Sequence, residues 1–192
     1  MLDVNGWDLA KALRLLLKGN AVAIEWLTSP FVYAGDERFR QECLELARHA
    51  VRPSAIARHY LHLGERQRRT YFADLRAVEI KKLFYALRPA LALRWLRMHP
   101  GEAVAPMHFP TLVAQSDLPP MVLKVVDNLL VRKAASRELG KGALPGAIAT
   151  LIDSEFTIAR ELWPSEPWLP EPAIVAAADA LLRTWLAPDP AG

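Results

Sequence analysis

A single cysteine, Cys43, rules out an internal disulfide in these 192 residues, and a lone thiol fits a reducing compartment better than a secreted framework. Long hydrophobic runs are missing too. A stretch such as Ala173 to Ala178 falls far short of the roughly 20 apolar residues that a membrane-crossing helix needs, so no membrane partner is expected. The opening residues Met1 to Gly6 carry neither the basic nor the apolar region of a targeting signal, which leaves the cytoplasm as the expected location. Strand-like patterning is scarce, confined to Leu2-Asp3-Val4 and Val32-Tyr33, and there is no internal repeat. Apolar material, by contrast, is plentiful. With 52% hydrophobic and 23% charged residues, the chain has ordinary globular composition and can bury a core without a structural metal or cross-link.

Helical spacing fills almost the whole length. Leu9, Leu13, Leu16 and Leu17 share one face of a helix that Asp8 can cap and Gly19 can end. Ala21 to Leu27 is a second short piece, and Gly35-Asp36 opens a third helix carrying Phe39, Cys43, Leu46 and Ala47. Pro53 suits the first turn of the next helix, where its missing N–H costs nothing. Ile80, Leu83, Phe84, Leu87, Leu91 and Trp95 give the longest periodic segment, in which Pro89 predicts a kink or a split. His108 to Ser116 reads as a short helix. Further helices follow over Pro119 to Leu139, with Leu123, Val126, Leu130 and Ala134 as its stripe, over Ala147 to Trp163, and over Ala173 to Ala187 after a proline-rich stretch. The expected fold is mainly α, with at most one or two short strands near the N-terminus. It divides into a front segment over 1–35, a helical domain over 36–163, and a linker with a final helix over 164–192.

Charge is unevenly distributed. From Arg52 to Arg97 there are nine Arg and two Lys against three acids, a local net of +8, while the rest of the chain sums to −5. A basic middle between acidic ends suits an anionic partner. Lys81, Tyr85 and Arg88 fall three and four apart, forming a polar ridge on an otherwise apolar helix beside Lys82. Arginine suits bidentate phosphate recognition and lysine a point contact. A solvated helix face explains the ridge about equally well, and explains Arg66, Arg68 and Arg69 better. His59, His62 and Glu65 share a face but lack a strong further metal ligand. Cys43 lies on an apolar stripe and reads as core. Gly140-Lys141-Gly142 is no phosphate loop, since no strand precedes it and a helix cap accounts for Gly140.

The run Asp3-Val4-Asn5-Gly6-Trp7-Asp8-Leu9-Ala10-Lys11-Ala12-Leu13 is followed by Gly19-Asn20, Glu25-Trp26-Leu27, Ser29-Pro30 and Tyr33. Together with Lys81-Lys82-Leu83-Phe84-Tyr85-Ala86-Leu87-Arg88-Pro89, it resembles the predicted nucleotidyltransferases of the RNA-repair-associated DNA polymerase beta family. A weaker echo runs from Phe109 through Leu129-Leu130 and Lys133 to Glu138-Leu139-Gly140. The resemblance implies nucleotidyl transfer on a small sheet-plus-helices fold, with three carboxylates holding two Mg²⁺ ions. In that superfamily two carboxylates form an Asp-x-Asp pair after a Gly-Ser turn, and the third stands alone on a later strand. Leu2-Asp3-Val4 matches the third position, which makes Asp3 the implied metal ligand and catalytic carboxylate. The Gly-Ser turn and the Asp-x-Asp pair have no counterpart in this sequence. The chain is therefore expected to resemble the later, mainly helical part of such an enzyme, to be inactive alone, and to use Lys81, Lys82, Tyr85 and Arg88 toward a nucleoside triphosphate or RNA. The alternative is a helical module without chemistry that binds RNA or a protein through the basic middle.

Overall fold

The computed structural model describes residues 6–135, 140–165 and 169–187. The Leu2-Asp3-Val4 segment, with Asp3, and Trp168 lie outside the described residues. The first helix, α1 (Leu9–Leu17), starts where the Asp8 carboxylate accepts the Lys11 N–H at 2.8 Å. It stops at Gly19, whose φ of +71° lets the Gly19 and Asn20 N–H groups turn back onto Leu16 and Leu15 carbonyls. Asn20 then caps α2 (Ala21–Leu27), and Asp36 caps α3 (Glu37–Ala50). Pro53 is the first residue of α4 (Pro53–Tyr71). Then come α5 (Ile80–Met98), α6 (Phe109–Ala114), α7 (Pro120–Ala135), α8 (Gly146–Leu162) and α9 (Pro172–Leu186).

Helix α5 is the hub. It packs along α4 and α8, and Ala86, Leu87, Ala90, Leu91 and Ala92 are all fully buried. A helix hydrophobic on nearly all sides belongs inside a bundle rather than on its surface, and each fully buried leucine contributes roughly 1.5–3 kcal/mol. Gly64 of α4 sets how closely the three helices approach. A Cβ there would stand 2.3 Å from the Phe156 ring of α8 and 3.1 Å from Pro89 of α5. The last helix, α9, returns to the front of the molecule and packs on α1 and α3. There Trp185 meets Phe39 edge-on at 5.1 Å and donates its indole N–H to Glu42 at 2.7 Å.

The mainly α class holds, but three details differ from the sequence reading. Val32 and Tyr33 form no strand and stand largely exposed. The strands of the described residues are instead β1 (Val78–Glu79) and β2 (Lys141–Gly142), antiparallel with Val78 opposite Gly142. They pair because two connections run past each other: Leu144 N–H donates to Leu75 carbonyl at 2.8 Å, and Ile80 N–H to Gly140 carbonyl at 3.1 Å. Two residues are too few to show alternation in a sequence. Of the kink or split expected at Pro89, the split does not occur, since α5 is continuous through it; the ring lies against Gly64, where α4 leaves room for it. On α7 the buried stripe is Val122, Val126 and Leu129, while Leu123 is exposed. That helix offers two adjacent apolar residues on each turn, and its packing on α8 selects one of them.

Candidate functional site

The front helices deliver one carboxylate to the centre. Gly19 brings the α1–α2 corner against Ala55, where an added Cβ would stand 2.6 Å from the Ala55 side chain. The Ala21 N–H at the start of α2 donates to His59 Nδ1 of α4 at 3.3 Å. Burial lowers the pKa of His59, helped by the positive charges of His62 and Arg66, which keeps the ring neutral and able to accept. With α2 fixed at both points, Glu25 reaches inward. Its Oε1 accepts the Tyr60 hydroxyl at 3.0 Å and Arg88 Nε at 2.9 Å. Arg88 also donates to the Met107 carbonyl at 2.7 Å and the Pro106 carbonyl at 3.4 Å, tethering the connection after α5. Burial first, and then the neighbouring Glu25 charge, push the Tyr60 pKa well up, so the hydroxyl stays protonated and donates.

This network lines a cavity of about 290 Å³ between α4 and α5, walled by Leu63, Phe84, Tyr85 and Pro89 and bordered by Gln67. Gln67 Oε1 is sealed from solvent and has no hydrogen-bond partner among the described residues. Tyr85 is 42% exposed. The Lys82 ammonium lies 4.6 Å from the Tyr71 ring centre and 5.0 Å from that of Tyr85, and the two rings meet edge-on at 6.0 Å. Such a cation–π cluster holds the lysine beside Tyr85, which lines the cavity. Lys81 projects outward on the same helix. Of the four expected residues, Tyr85 and Arg88 line the cavity and Lys82 lies against Tyr85, while Arg88 faces protein oxygens.

Sequence reasoning gave Glu25, Tyr60 and Gln67 no role. The available signal was Glu25 itself, a lone carboxylate in the otherwise apolar helix Ala21–Leu27, which a buried cation must balance. Elsewhere the basic middle is largely spent on the fold. Arg94 and Arg97 of α5 converge on Glu155 of α8 at 2.9 and 3.0 Å, and Glu155 is buried. Arg94 further donates to Ser116 and Asp117 carbonyls, both at 2.6 Å, holding a turn in which Asp117 has φ of +42°. Arg68 pairs with Asp153 and Arg160 with Glu65 along a second, open cleft of about 560 Å³ that Arg69 also lines. Cys43 is buried, and that burial pushes its thiol up to about 11, as befits a core residue.

No group of three or more His, Cys, Asp or Glu side chains placed to hold a metal ion occurs among the described residues. Glu65 is taken up by Arg160 and His59 by the Ala21 N–H. No helix of the described residues is long and apolar enough to cross a membrane.

The chain is 34% identical over 156 residues to the uncharacterized protein YcgL of Bacillus subtilis (strain 168), an alignment covering 81% of this chain and 59% of that protein. The chain thus spans less than two thirds of its relative's length. No solved structure matches it. The family match runs from residue 1 to residue 184, through the α2–α4–α5 cavity and both arginine sites, and the chain belongs to the RNA repair pathway DNA polymerase beta family.

Proposed function

We propose that the chain is the nucleotide-holding helical part of a polymerase-beta-type nucleotidyltransferase, with the α4–α5 cavity as its nucleotide site. The observation that carries this reading is convergence. Glu25 comes from one stretch of the family resemblance and Tyr85, Arg88 and Pro89 from another far along the chain, and all four line one cavity. Such a cavity, mostly apolar with a few convergent polar groups, is the usual form of a small-molecule site. Lys82, held against the Tyr85 ring, and Lys81, exposed on the same helix, are the residues we assign to the phosphates, while Arg88 acts through Glu25 and the Pro106 and Met107 carbonyls to hold the floor. Lysine at this point offers a compact charge for a phosphate oxygen. In the family scheme magnesium neutralises developing phosphate charge, and Asp3 is the residue of this chain proposed to ligate it beside other carboxylates.

Since this sequence holds neither a Gly-Ser pair nor an Asp-x-Asp pair, the 192-residue protein alone is expected to bind nucleotide without transferring it. Calorimetric titration with nucleoside triphosphate tests the first half, and incubation with labelled triphosphate and Mg²⁺ the second. Binding that disappears in Lys81→Ala/Lys82→Ala supports the site; robust incorporation of label by the pure chain defeats the claim of inactivity.

The open cleft with Arg68, Arg69 and Arg160 favours a second reading, a helical module that holds RNA without chemistry. Each phosphate contact releases condensed counterion, so RNA affinity should fall steeply with salt. Replacing Arg69 by Ala in this cleft, or Lys81 and Lys82 by Ala on α5, should lower the slope of log affinity against log salt by somewhat under one unit per lost contact to single strands. Arg88→Ala should leave that slope unchanged, because its guanidinium faces Glu25 and two carbonyls.

A further inference from the structure

A stripe of polar residues runs along the side of α4 turned away from the cavity. Arg58, His62, Glu65 and Arg69 are spaced four, three and four apart, so they fall on one face of the helix. Tyr60, Leu63 and Gln67, which line the cavity, fall on nearly the opposite face. Three depressions lie in a row along the stripe. The first, about 410 Å³, is bordered by Lys18 at the end of α1 and by Arg58 and His62. The second, about 230 Å³, shares Arg58 and His62 with it and reaches Trp163 and Pro164 at the end of α8. The third is the arginine cleft, which shares Glu65 and Arg160 with the second and adds Arg68 and Arg69. Neighbouring depressions thus have common walls, and cationic side chains stand in those walls.

The row carries a net positive charge. Among the described residues that line it, Lys18, Arg58, Arg68, Arg69 and Arg160 face one carboxylate, Glu65, which Arg160 meets at 2.7 Å. Arg58 gives one N–H to the Pro164 carbonyl at 3.0 Å, and a neutral acceptor leaves its charge uncancelled. Arg68 pairs with Asp153, but both side chains are about half exposed, and a pair of that kind is weak enough for a phosphate to share the guanidinium. Between the cations the surfaces are apolar or aromatic: Leu61 and Trp163 in the second depression, Phe72 and Leu75 in the third. Cations about one helical turn apart, alternating with surfaces on which a ring can lie, match a single nucleic-acid strand. Its phosphates repeat along one edge, and its bases stack without regard to sequence. We infer that this row is a track for one strand of RNA, running from the arginine cleft to Lys18, with phosphates on the cations and bases over the depressions. The inference rests on the second reading, in which the arginine cleft holds RNA, and adds the strand's path, length and single-stranded form. It also leaves the cavity on the other side of α4 free for a nucleotide.

Fluorescence anisotropy on the full chain, with labelled oligoribonucleotides from a trinucleotide to a decanucleotide, tests this. Affinity should climb with length and level off near about six nucleotides, because α4 rises about 21 Å from Ala55 to Arg69 and a stacked strand advances about 3.4 Å per nucleotide. Lys18→Ala/Arg58→Ala should lower the slope of log affinity against log salt for the decanucleotide by about 1.4 units, at about 0.7 per lost contact to a single strand. It should leave the trinucleotide, which the arginine cleft accommodates alone, as it was. Arg69→Ala should weaken both. Arg58→Lys keeps the charge and should restore most of the slope lost in Arg58→Ala, whereas Arg48→Ala, which removes a charge from α3, should leave the slope unchanged. If the double variant keeps the parent's slope while Arg69→Ala lowers it, RNA ends at the cleft; the track is overturned and the second reading stands. A slope lowered as much by Arg48→Ala would reveal only diffuse charge and overturn the track as well. A duplex that binds as tightly as the single strand overturns the single-stranded form. A loss that Arg58→Lys does not restore, with a lowered melting temperature, assigns Arg58 to the fold through Pro164 and removes it from the track. Failure of every strand to bind defeats the second reading itself.

Discussion

Two arginine–glutamate centres sit on the same helix, about two turns apart, and serve different ends. At the C-terminal end of α5, Arg94 and Arg97 enclose a Glu155 that is only 2% exposed, and Arg94 adds two carbonyls from the α6–α7 turn. Near the middle, Arg88 and Tyr60 hold a Glu25 whose other oxygen borders a cavity. The chemistry is the same in both: a carboxylate, guanidinium groups, and backbone oxygens from a loop that needs holding. What differs is closure. The first centre has its carboxylate oxygens occupied, with only the Arg97 Nε donor left without a partner among the described residues, and joins α5 to α8. The second leaves one Glu25 oxygen without a partner among the described residues, next to a half-exposed aromatic ring and a lysine, which suits the recognition role proposed for it.

The sharpest way to test this contrast is to neutralise each carboxylate. Glu155→Gln strands two guanidinium groups in a poorly hydrated setting, and breaking a buried pair from one side costs about 3–5 kcal/mol. Chemical denaturation should show that loss. Stability within about 1 kcal/mol of the parent, on the scale of an exposed pair, would mean that the centre is better hydrated than its burial implies. Gly64→Ala comes next, because Gly64 stands between the two centres, touching Pro89 on one side and Phe156 on the other. Alanine gains roughly 0.5–1 kcal/mol in a helix interior. Its methyl, however, would overlap the Phe156 ring, and overpacking of this kind costs about 1–3 kcal/mol. The variant should therefore be less stable than the parent, with the α4–α5 cavity altered as well.

How far this contrast could be read in advance depends on the reach of each interaction. Local features were legible: the Asp8 and Asp36 positions before helices, Gly19 as a left-handed stop, Pro53 in a first turn. Each depends on atoms a few residues away. The Lys81–Tyr85–Arg88 ridge was legible for the same reason, as spacing on one helix. Its partners were not. Glu25 lies 63 residues from Arg88, and Glu155 lies 61 from Arg94, so no periodicity links them. The excess of positive charge suggested an anionic ligand, yet five of the nine arginines in the middle make ion pairs or donate to a carbonyl of a distant segment. Net charge counts side chains without saying whether they are spent inside the protein.

Glu25→Gln is the matched test of the open centre, and its effect should be smaller than that of Glu155→Gln. Gln keeps an acceptor for the Tyr60 hydroxyl, and Arg88 keeps its two carbonyls, so about 1–2 kcal/mol is expected from losing one charge-assisted bond. Nucleotide affinity should change more noticeably than stability, since removing the carboxylate alters the polarity of the cavity. A stability loss equal to that of Glu155→Gln, with nucleotide affinity unchanged, would make the two centres alike and remove the distinction between them.

The smallest effect concerns pH and again separates the centres. Glu25 is held in place by α2, and α2 is held at its start by His59, whose neutral ring accepts the Ala21 N–H. Burial, then His62 and Arg66, lower the folded-state pKa of His59 below the ordinary 6.5. An unfolded chain therefore takes up this proton more readily than the folded one. The stability tied to the neutral ring is fully present above about pH 6.5 and drains away as pH falls toward the lower folded value, below which it changes no further. Protonation also turns the acceptor into a donor facing the Ala21 N–H, so the α1–α2 corner should loosen first. Amide exchange at Ala21 and Val22 measured between pH 7.5 and 5.5 should quicken relative to the intrinsic rate, while amides around Arg94 and Glu155 keep their protection. His59→Leu removes the titration and should give a melting temperature that varies less across this range, from a lower starting point. If both centres lost protection together as the pH fell, His59 would not be the local hinge, and the open centre would be no easier to disturb than the sealed one.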